Sequence, residues 1–136
     1  MKLAIAVILV VAVAVVATMA VYSRLPDEMP THWNGAGEVD DTTAKPWGPF
    51  LLPMMMVGLA VVFLVLPRIS PRGYEIEERG RAFRAILMTI LLFMLALHVM
   101  MLAVALGHPV SFGIAVPILL GALLIVLIRQ SIRTLH

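Results

Sequence analysis

The chain carries no Asp, Glu, Lys or Arg between Arg84 and Arg129. A helix of about 20 residues, rising 1.5 Å per residue, crosses the hydrocarbon core of a bilayer, and this stretch is long enough for two such helices. The Gly-His-Pro sequence at 107–109 divides it, because Gly and Pro favour a tight turn. The two spans predicted here are residues 85–106 and 110–128.

Two further apolar segments, residues 3–22 and 46–66, precede that stretch. Apolar residues make up 62% of the chain and charged residues 13%, whereas soluble domains are roughly 45–50% apolar. A chain of 136 residues is enough for one domain. We therefore predict an all-α membrane protein: a single domain over residues 1–136, built as a bundle of four transmembrane helices.

The first apolar segment also resembles a secretory signal peptide. Lys2 gives it a basic start, and Thr18-Met19-Ala20 resembles a cleavage site between small residues. The apolar core of a signal peptide is roughly 7–15 residues long, and this segment exceeds that length. We therefore interpret it as a membrane span.

The basic residues are unevenly distributed between the loops. Residues 23–47 contain two of them and residues 67–84 contain five. Lys and Arg concentrate in cytoplasmic loops, and counting both termini with residues 67–84 gives eight basic residues inside and two outside. The pattern predicts cytoplasmic termini, an outer loop at 23–47 and an inner connector at 67–84. The eight inner residues are Lys2, Arg68, Arg72, Arg79, Arg81, Arg84, Arg129 and Arg133.

The inner connector has the charge spacing of a helix. Glu75 and Arg79 are four residues apart, as are Glu77 and Arg81, with the glutamate first, which is the more stabilising order. This predicts an amphipathic helix at the membrane surface that leads into the third span. A docking surface for a cytoplasmic protein or an anionic lipid is the alternative.

The outer loop has the most distinctive sequence of the chain. Pro30 is incompatible with a continuous helix and favours an extended conformation for the residue before it. Asn34 and Gly37 are typical of turns, and Trp33 and Trp47 are expected at the level of the lipid headgroups. The sequence therefore predicts an ordered, acidic loop. Its acidic residues are Asp27, Glu28, Glu38, Asp40 and Asp41.

Residues 25–40 of this loop follow the pattern Leu-Pro-x-x-Met-Pro-x-His-Trp-Asn-x-x-Gly-x-x-Asp. The pattern resembles the extracytoplasmic signature of bacterial membrane proteins of the SdpI immunity type, in which it also follows a first membrane span. The resemblance covers about 16 residues, and the placement of the flanking spans agrees. The string that carries it is Leu25-Pro26, Pro30-Thr31-His32-Trp33-Asn34, Gly37 and Asp40, in which Thr31 occupies an open position of the pattern.

The resemblance implies a multi-pass protein of the bacterial cytoplasmic membrane. The named member of the family protects its producer from a secreted toxic peptide and signals to a cognate repressor. Larger members carry a second membrane half, and this chain resembles the amino-terminal half. The resemblance thus implies a non-enzymatic protein that binds or senses a peptide or an envelope partner through its outer loop. The residues it implicates in binding are Pro30, His32, Trp33, Asn34, Gly37 and Asp40.

His32 and Asp40 permit three interpretations. Imidazole and carboxylate are ligands of zinc and manganese, although neither an HxxxH nor an HExxH spacing is present. Alternatively, the two side chains hydrogen-bond to each other or to the loop backbone and fix its shape, which is the interpretation we favour. The third interpretation is direct contact with a cationic amphipathic peptide, which the acidic and aromatic character of the loop suits.

His98 is the one readily titratable side chain deep in a predicted span. Such groups are expected to have a partner and a function. Met94 and Met101 lie on the same helix face, so a Met-His-Met site for a soft ion such as Cu(I) is one interpretation. Because Met is also common packing material, we predict instead a neutral His98 that hydrogen-bonds to a backbone carbonyl.

Motifs of catalysis are missing from the sequence: it has no Gly-x-Ser-x-Gly elbow, no phosphate-binding glycine loop and no paired carboxylates within the spans. We predict no enzymatic activity, no cofactor and no nucleic-acid partner. The alternative function is that of a structural or accessory subunit of a larger membrane complex, with a hetero-partner or as a homo-oligomer. A small transporter is less favoured, because few polar residues interrupt the spans.

Overall fold

The computed structural model describes residues 2–69 and 80–134. The amphipathic helix predicted around Glu75 and Arg79, with its docking alternative, lies outside the described residues. Within them, four helices are long and apolar enough to cross a membrane. This confirms the predicted fold class, and the chain is a multi-pass membrane protein. The helices are α1, Lys2–Val21; α2, Leu51–Ile69; α3, Gly80–Ala105; and α4, Phe112–Thr134.

Helix α3 is the centre of the bundle. It packs against α1, α2 and α4. Of the 18 consecutive residues that are most apolar in each helix, 33% are buried within the chain in α3 and 6% in α4. Five of its buried positions alternate at spacings of four and three residues, the repeat that keeps one seam facing neighbouring helices. These positions are Leu87, Leu91, Met94, His98 and Met101.

The loop between α1 and α2 folds into an antiparallel β-hairpin of two strands, β1, Glu28–Trp33, and β2, Val39–Ala44. We call residues 25–47 the cap, and the membrane face on which they lie the cap side. The register of the hairpin shifts on both sides of His32, as in a β-bulge. The sequence predicted an ordered loop with an extended segment and a turn, but not a paired second strand.

Two apolar clusters hold the fold together. One lies among α1, α2 and α3 and includes Val7, Met56 and Leu91. The other lies beneath the cap and includes Leu25 and Met29, which is fully buried. Since residues of α3 and α4 also belong to the second cluster, the cap is packed onto the helices.

The turn between α3 and α4 ends α3 in a Schellman motif. The backbone N–H of His108 donates to the carbonyl of Ala103 and that of Gly107 to the carbonyl of Val104, while Gly107 has a φ of 85°. This pair of bonds satisfies carbonyl groups at the helix end and requires a left-handed residue, which is usually Gly. The Gly-His-Pro sequence therefore separates the two spans and also caps the C-terminal end of α3.

We expect Gly107→Ala to lower the free energy of unfolding by about 1–2 kcal/mol, because a Cβ is disfavoured in the left-handed conformation. Gly121→Ala is the matched control, since Gly121 lies within α4 and no described atom lies within 4 Å of the Cβ position. Denaturant titration of both variants in mixed micelles measures the difference. Equal stability of the two variants would contradict the assigned role of Gly107.

Candidate functional site

Asn34 organises the turn of the hairpin. Its side-chain Oδ1 accepts hydrogen bonds from the backbone N–H groups of Ala36 and Glu38, at 2.9 and 3.0 Å, and its Nδ2 donates to Glu38 Oε2 at 3.2 Å. Asn is suited to this role because its short amide can bond to the backbone a few residues ahead. The Asn of the signature therefore shapes the turn, and it also fixes the position of the Glu38 carboxylate.

Gly37 brings the turn against the first residues of α4. Its φ is 80°, and a Cβ on it would lie 2.4 Å from the backbone nitrogen of Gly113. A Cβ on Gly113 would in turn lie 3.1 Å from the carbonyl oxygen of Ala36. The two glycines thus allow two backbones to meet, a contact that a side chain at position 37 would prevent.

Trp33 makes the second link between the cap and α4. Its ring stacks on that of Phe112, with centroids 3.7 Å apart and an interplanar angle of 3°. Aromatic pairs contribute about 0.5–1.5 kcal/mol beyond the area they bury. Trp33 therefore packs on a helix, whereas Trp47 is 64% exposed, as a side chain at the membrane surface would be.

His32 and Asp40 form a cross-strand pair, with His32 Nδ1 2.6 Å from Asp40 Oδ1. Their side chains remain 68% and 41% exposed. Because an ionised carboxylate only accepts hydrogen bonds, His32 donates through Nδ1 and its Nε2 is left for another contact. This hydrogen bond agrees with the interpretation favoured in the sequence analysis, in which the two side chains bond to each other or to the loop backbone. Among the described residues, the two belong to no group of three or more potential metal ligands.

The far end of the hairpin is held by buried and polar contacts. Pro30 is buried opposite Thr42, and Thr31 and Thr43 share a hydrogen bond of 2.9 Å between their hydroxyl groups. Lys45 donates through Nζ to the carbonyl of Leu25 at 2.9 Å. The same ammonium lies 4.9 Å from the centre of the Tyr22 ring. The positive charge of Lys45 is thus engaged at the junction with α1.

A cleft of about 510 Å³ lies under the hairpin turn, between α2, α3 and α4. The turn forms its roof, where four of the six predicted binding residues lie: His32, Trp33, Asn34 and Gly37. Asp40 is hydrogen-bonded to His32, and neither Asp40 nor Pro30 lines the cleft. Its apolar walls were not predictable from the sequence, because residues facing a cleft and residues facing lipid are both aliphatic. The wall residues are Leu51, Leu52, Met55, Leu97, Met101, Phe112, Gly113, Val116 and Pro117.

His98 lies in a separate buried network that joins α3 to α1. Its Nε2 is 2.9 Å from Thr18 Oγ1 and 3.1 Å from the carbonyl oxygen of Ala14. Thr18 Oγ1 is also 3.4 Å from the carbonyl oxygen of Pro49, just before α2. The expected carbonyl partner is present, and Thr18 is a partner that the sequence did not predict.

The network favours one tautomer of His98. The carbonyl of Ala14 can only accept, so a proton on Nε2 lets His98 donate to it. His98 Nδ1 is buried and has no hydrogen-bond partner among the described residues, and an unpaired acceptor there avoids burying an unpaired N–H. Met94 and Met101, the other members of the considered copper site, are themselves buried in the two apolar clusters.

One comparison with known proteins gives a match. Residues 9–57 match the family model of a domain of unknown function, DUF1648. The matched segment contains most of α1, the whole cap and the first turns of α2. No curated protein and no solved structure matches the chain.

Proposed function

We propose that this chain is a non-enzymatic membrane protein that binds a cationic amphipathic peptide, or an envelope partner presenting such a segment, at the acidic face of its cap. One observation carries the proposal. The carboxylates of β2 and the adjoining turn are exposed on an ordered hairpin, while the nearby ammonium of Lys45 is already engaged. The exposed acidic residues are Asp27, Glu28, Glu38, Asp40 and Asp41.

The physical basis is complementarity of charge on a rigid support. Complementary charge speeds the encounter and rejects partners of the wrong sign. A hairpin that is already ordered avoids much of the conformational entropy that a flexible loop would lose on binding. Exposed Trp47 offers an amphipathic ring beside this face for the apolar side of a peptide.

The resemblance to the SdpI-type signature supports a role in peptide immunity, sensing or envelope stress. The signature lies within the segment that matches the domain of unknown function. The proposal includes a bacterial cytoplasmic membrane, with the cap outside and both termini inside. The excess of Lys and Arg in residues 67–84 supports that orientation.

The test is peptide binding to the full chain in nanodiscs of phosphatidylcholine, whose zero net charge adds no electrostatic attraction, with binding to empty nanodiscs subtracted. The probe is a labelled amphipathic helix of Lys and Leu, and its Glu-Leu counterpart serves as the charge control. We expect binding of the first only, weakened about fivefold by Glu28→Gln combined with Asp41→Asn, as expected for the loss of two exposed ion pairs. Raising the salt concentration should weaken it further.

Thr42→Ser is the matched control variant. Thr42 donates through its hydroxyl to Glu28 Oε2 at 3.1 Å, and serine keeps that donor. The affinity of this variant should equal that of the unmodified chain. Equal binding of the acidic probe, or unchanged affinity after neutralisation, would overturn the proposal.

A second candidate function is that of an accessory subunit in a larger membrane complex. The exposure of α4 favours it, because only 6% of the most apolar 18 residues of this helix are buried within the chain. The rest of that surface is free to contact a helix of another protein. A hetero-partner that remains bound in mild detergent, in fixed proportion to the chain, would distinguish this role from that of a self-sufficient peptide-binding protein.

A further inference from the structure

The cleft beneath the cap lies within the thickness of the lipid leaflet on the cap side. Its walls come from the cap-side ends of three helices: α2 begins at Leu51, α3 ends at Ala105 and α4 begins at Phe112. At 1.5 Å per residue, Leu97 on the floor of the cleft is roughly 12 Å from the end of α3. Half of a hydrocarbon core is about 15 Å, so the floor of the cleft lies at roughly four fifths of the depth of the acyl chains in the leaflet on the cap side.

The cleft is open to that leaflet. Met55, on the α2 wall, is 60% exposed, and Pro117, on the α4 wall, is also exposed. Both residues belong to membrane-spanning helices, so these openings face lipid. The volume of about 510 Å³ falls within the range of roughly 300–1,000 Å³ for small-molecule sites.

The rim of the cleft, just outside the residues that line it, carries two carboxylates, those of Glu38 and Asp40. Asp40 Oδ1 is 2.6 Å from His32 Nδ1, and Asn34 Nδ2 is 3.2 Å from Glu38 Oε2. Each carboxylate is therefore one hydrogen bond away from a residue of the roof. No Lys or Arg is among the described residues that line the cleft, so a net negative headgroup would find no fixed positive partner.

We propose that the cleft binds one phospholipid of the adjacent leaflet, with an acyl chain between α2 and α4 and a primary-ammonium headgroup, as in phosphatidylethanolamine, at the carboxylates of Glu38 and Asp40. The apolar walls accept hydrocarbon and the rim accepts N⁺–H donors. Phosphatidylglycerol brings negative charge to a negative rim, and the quaternary ammonium of phosphatidylcholine has no N–H to donate. Glu38 and Asp40 also belong to the acidic face proposed to bind a peptide, whereas the cleft itself lies outside that face.

The test is native mass spectrometry of the purified full chain in micelles that contain equal amounts of phosphatidylethanolamine, phosphatidylglycerol and phosphatidylcholine. We expect one retained phosphatidylethanolamine per chain. Val116→Phe narrows the cleft and should lower retention about tenfold, within the usual cost of overpacking. Ile118→Phe is the control on the same helix, because Ile118 is 65% exposed and does not line the cleft.

A second pair of variants tests the headgroup. Glu38→Gln and Asp40→Asn keep acceptor oxygens for Asn34 and His32 and remove both charges. Together they should lower the preference for phosphatidylethanolamine over phosphatidylglycerol about fivefold, as expected for two exposed ion pairs, while one lipid is still retained. Melting temperatures of all variants report whether each is folded.

Three results would overturn the proposal: no retained lipid, equal retention in Val116→Phe and Ile118→Phe, or a preference for phosphatidylglycerol in the unmodified chain. No peptide is added in this experiment, so its failure is distinguishable from failure of the proposed peptide binding.

Discussion

Gly37→Ala should separate the cap from α4 and lower the free energy of unfolding by about 2–3 kcal/mol. The new Cβ would lie 2.4 Å from the backbone nitrogen of Gly113, and the φ of Gly37 is 80°. A left-handed conformation costs an L-residue roughly 1–2 kcal/mol, and loss of the Trp33–Phe112 stack costs about 0.5–1.5 kcal/mol more. The backbone at Gly37 cannot move away without moving the hairpin, and the backbone at Gly113 cannot move away without moving α4.

The measurement is denaturant unfolding together with acrylamide quenching of tryptophan fluorescence. A Trp47→Phe background leaves Trp33 as the reporter, since the chain has two tryptophans. Quenching should increase in Gly37→Ala as the stack opens. Gly35→Ala is the matched control from the same turn, because no described atom lies within 4 Å of its Cβ position and its φ is not positive. Indistinguishable quenching in the two variants would contradict the docking of the cap on α4.

His98→Ala should strongly lower the free energy of unfolding. His98 is fully buried, and truncation of a large buried side chain to Ala typically costs about 2–5 kcal/mol because a cavity remains. It also removes the hydrogen bonds between α3 and α1. Val99→Ala is the control on the next residue of the same helix, where the side chain is 49% exposed, and its effect should be small.

A double-mutant cycle with Thr18→Val isolates the polar part of this effect. Valine keeps the shape of Thr18 and removes its hydroxyl, which is 2.9 Å from His98 Nε2. Hydrogen bonds between membrane helices contribute about 0.6 kcal/mol on average and up to about 1.7 kcal/mol, and we expect a coupling energy in that range. Strict additivity of the two substitutions, measured by unfolding in mixed micelles, would show that the two side chains do not stabilise each other.

The four helices were predictable because a membrane span requires only length and apolarity, and both can be read along the chain. Their arrangement was not. Val7 is 6% exposed and Ile8 is 65% exposed, yet both are aliphatic, since lipid accepts the same side chains as the interior of the protein. The buried face of α3 is hidden in the sequence for the same reason.

The cap was predictable in part. The turn chemistry of Asn34 and Gly37 is local and was anticipated. The hairpin was missed because Pro30 weakens a strand prediction, and because β2 lacks the alternation of apolar and polar residues that indicates a strand. The contacts of Gly37 with Gly113 and of Trp33 with Phe112 join residues far apart in the chain, so no local pattern reveals them.

In the candidate site too, local features were predictable from the sequence and long-range contacts were not. Four predicted residues share the roof of the cleft because the signature is one turn and its adjoining strand. The bond between His32 and Asp40 was anticipated from their residue types. The partner of His98 on α1 was not predictable, because the sequence does not show which faces of these two apolar helices meet. The one available signal was that Thr18 is the only hydroxyl residue within α1.

Hydrogen–deuterium exchange of the full chain in nanodiscs tests most directly the central claim that the signature builds an ordered cap docked on the helices. The hairpin pairs β1 with β2, and the N–H of Asn34 donates to the carbonyl of Glu38 at 2.9 Å. We predict slow exchange across residues 28–44 and faster exchange there in Gly37→Ala, with Gly35→Ala unchanged. Exchange of these amides at the rate of an unstructured peptide would contradict the account.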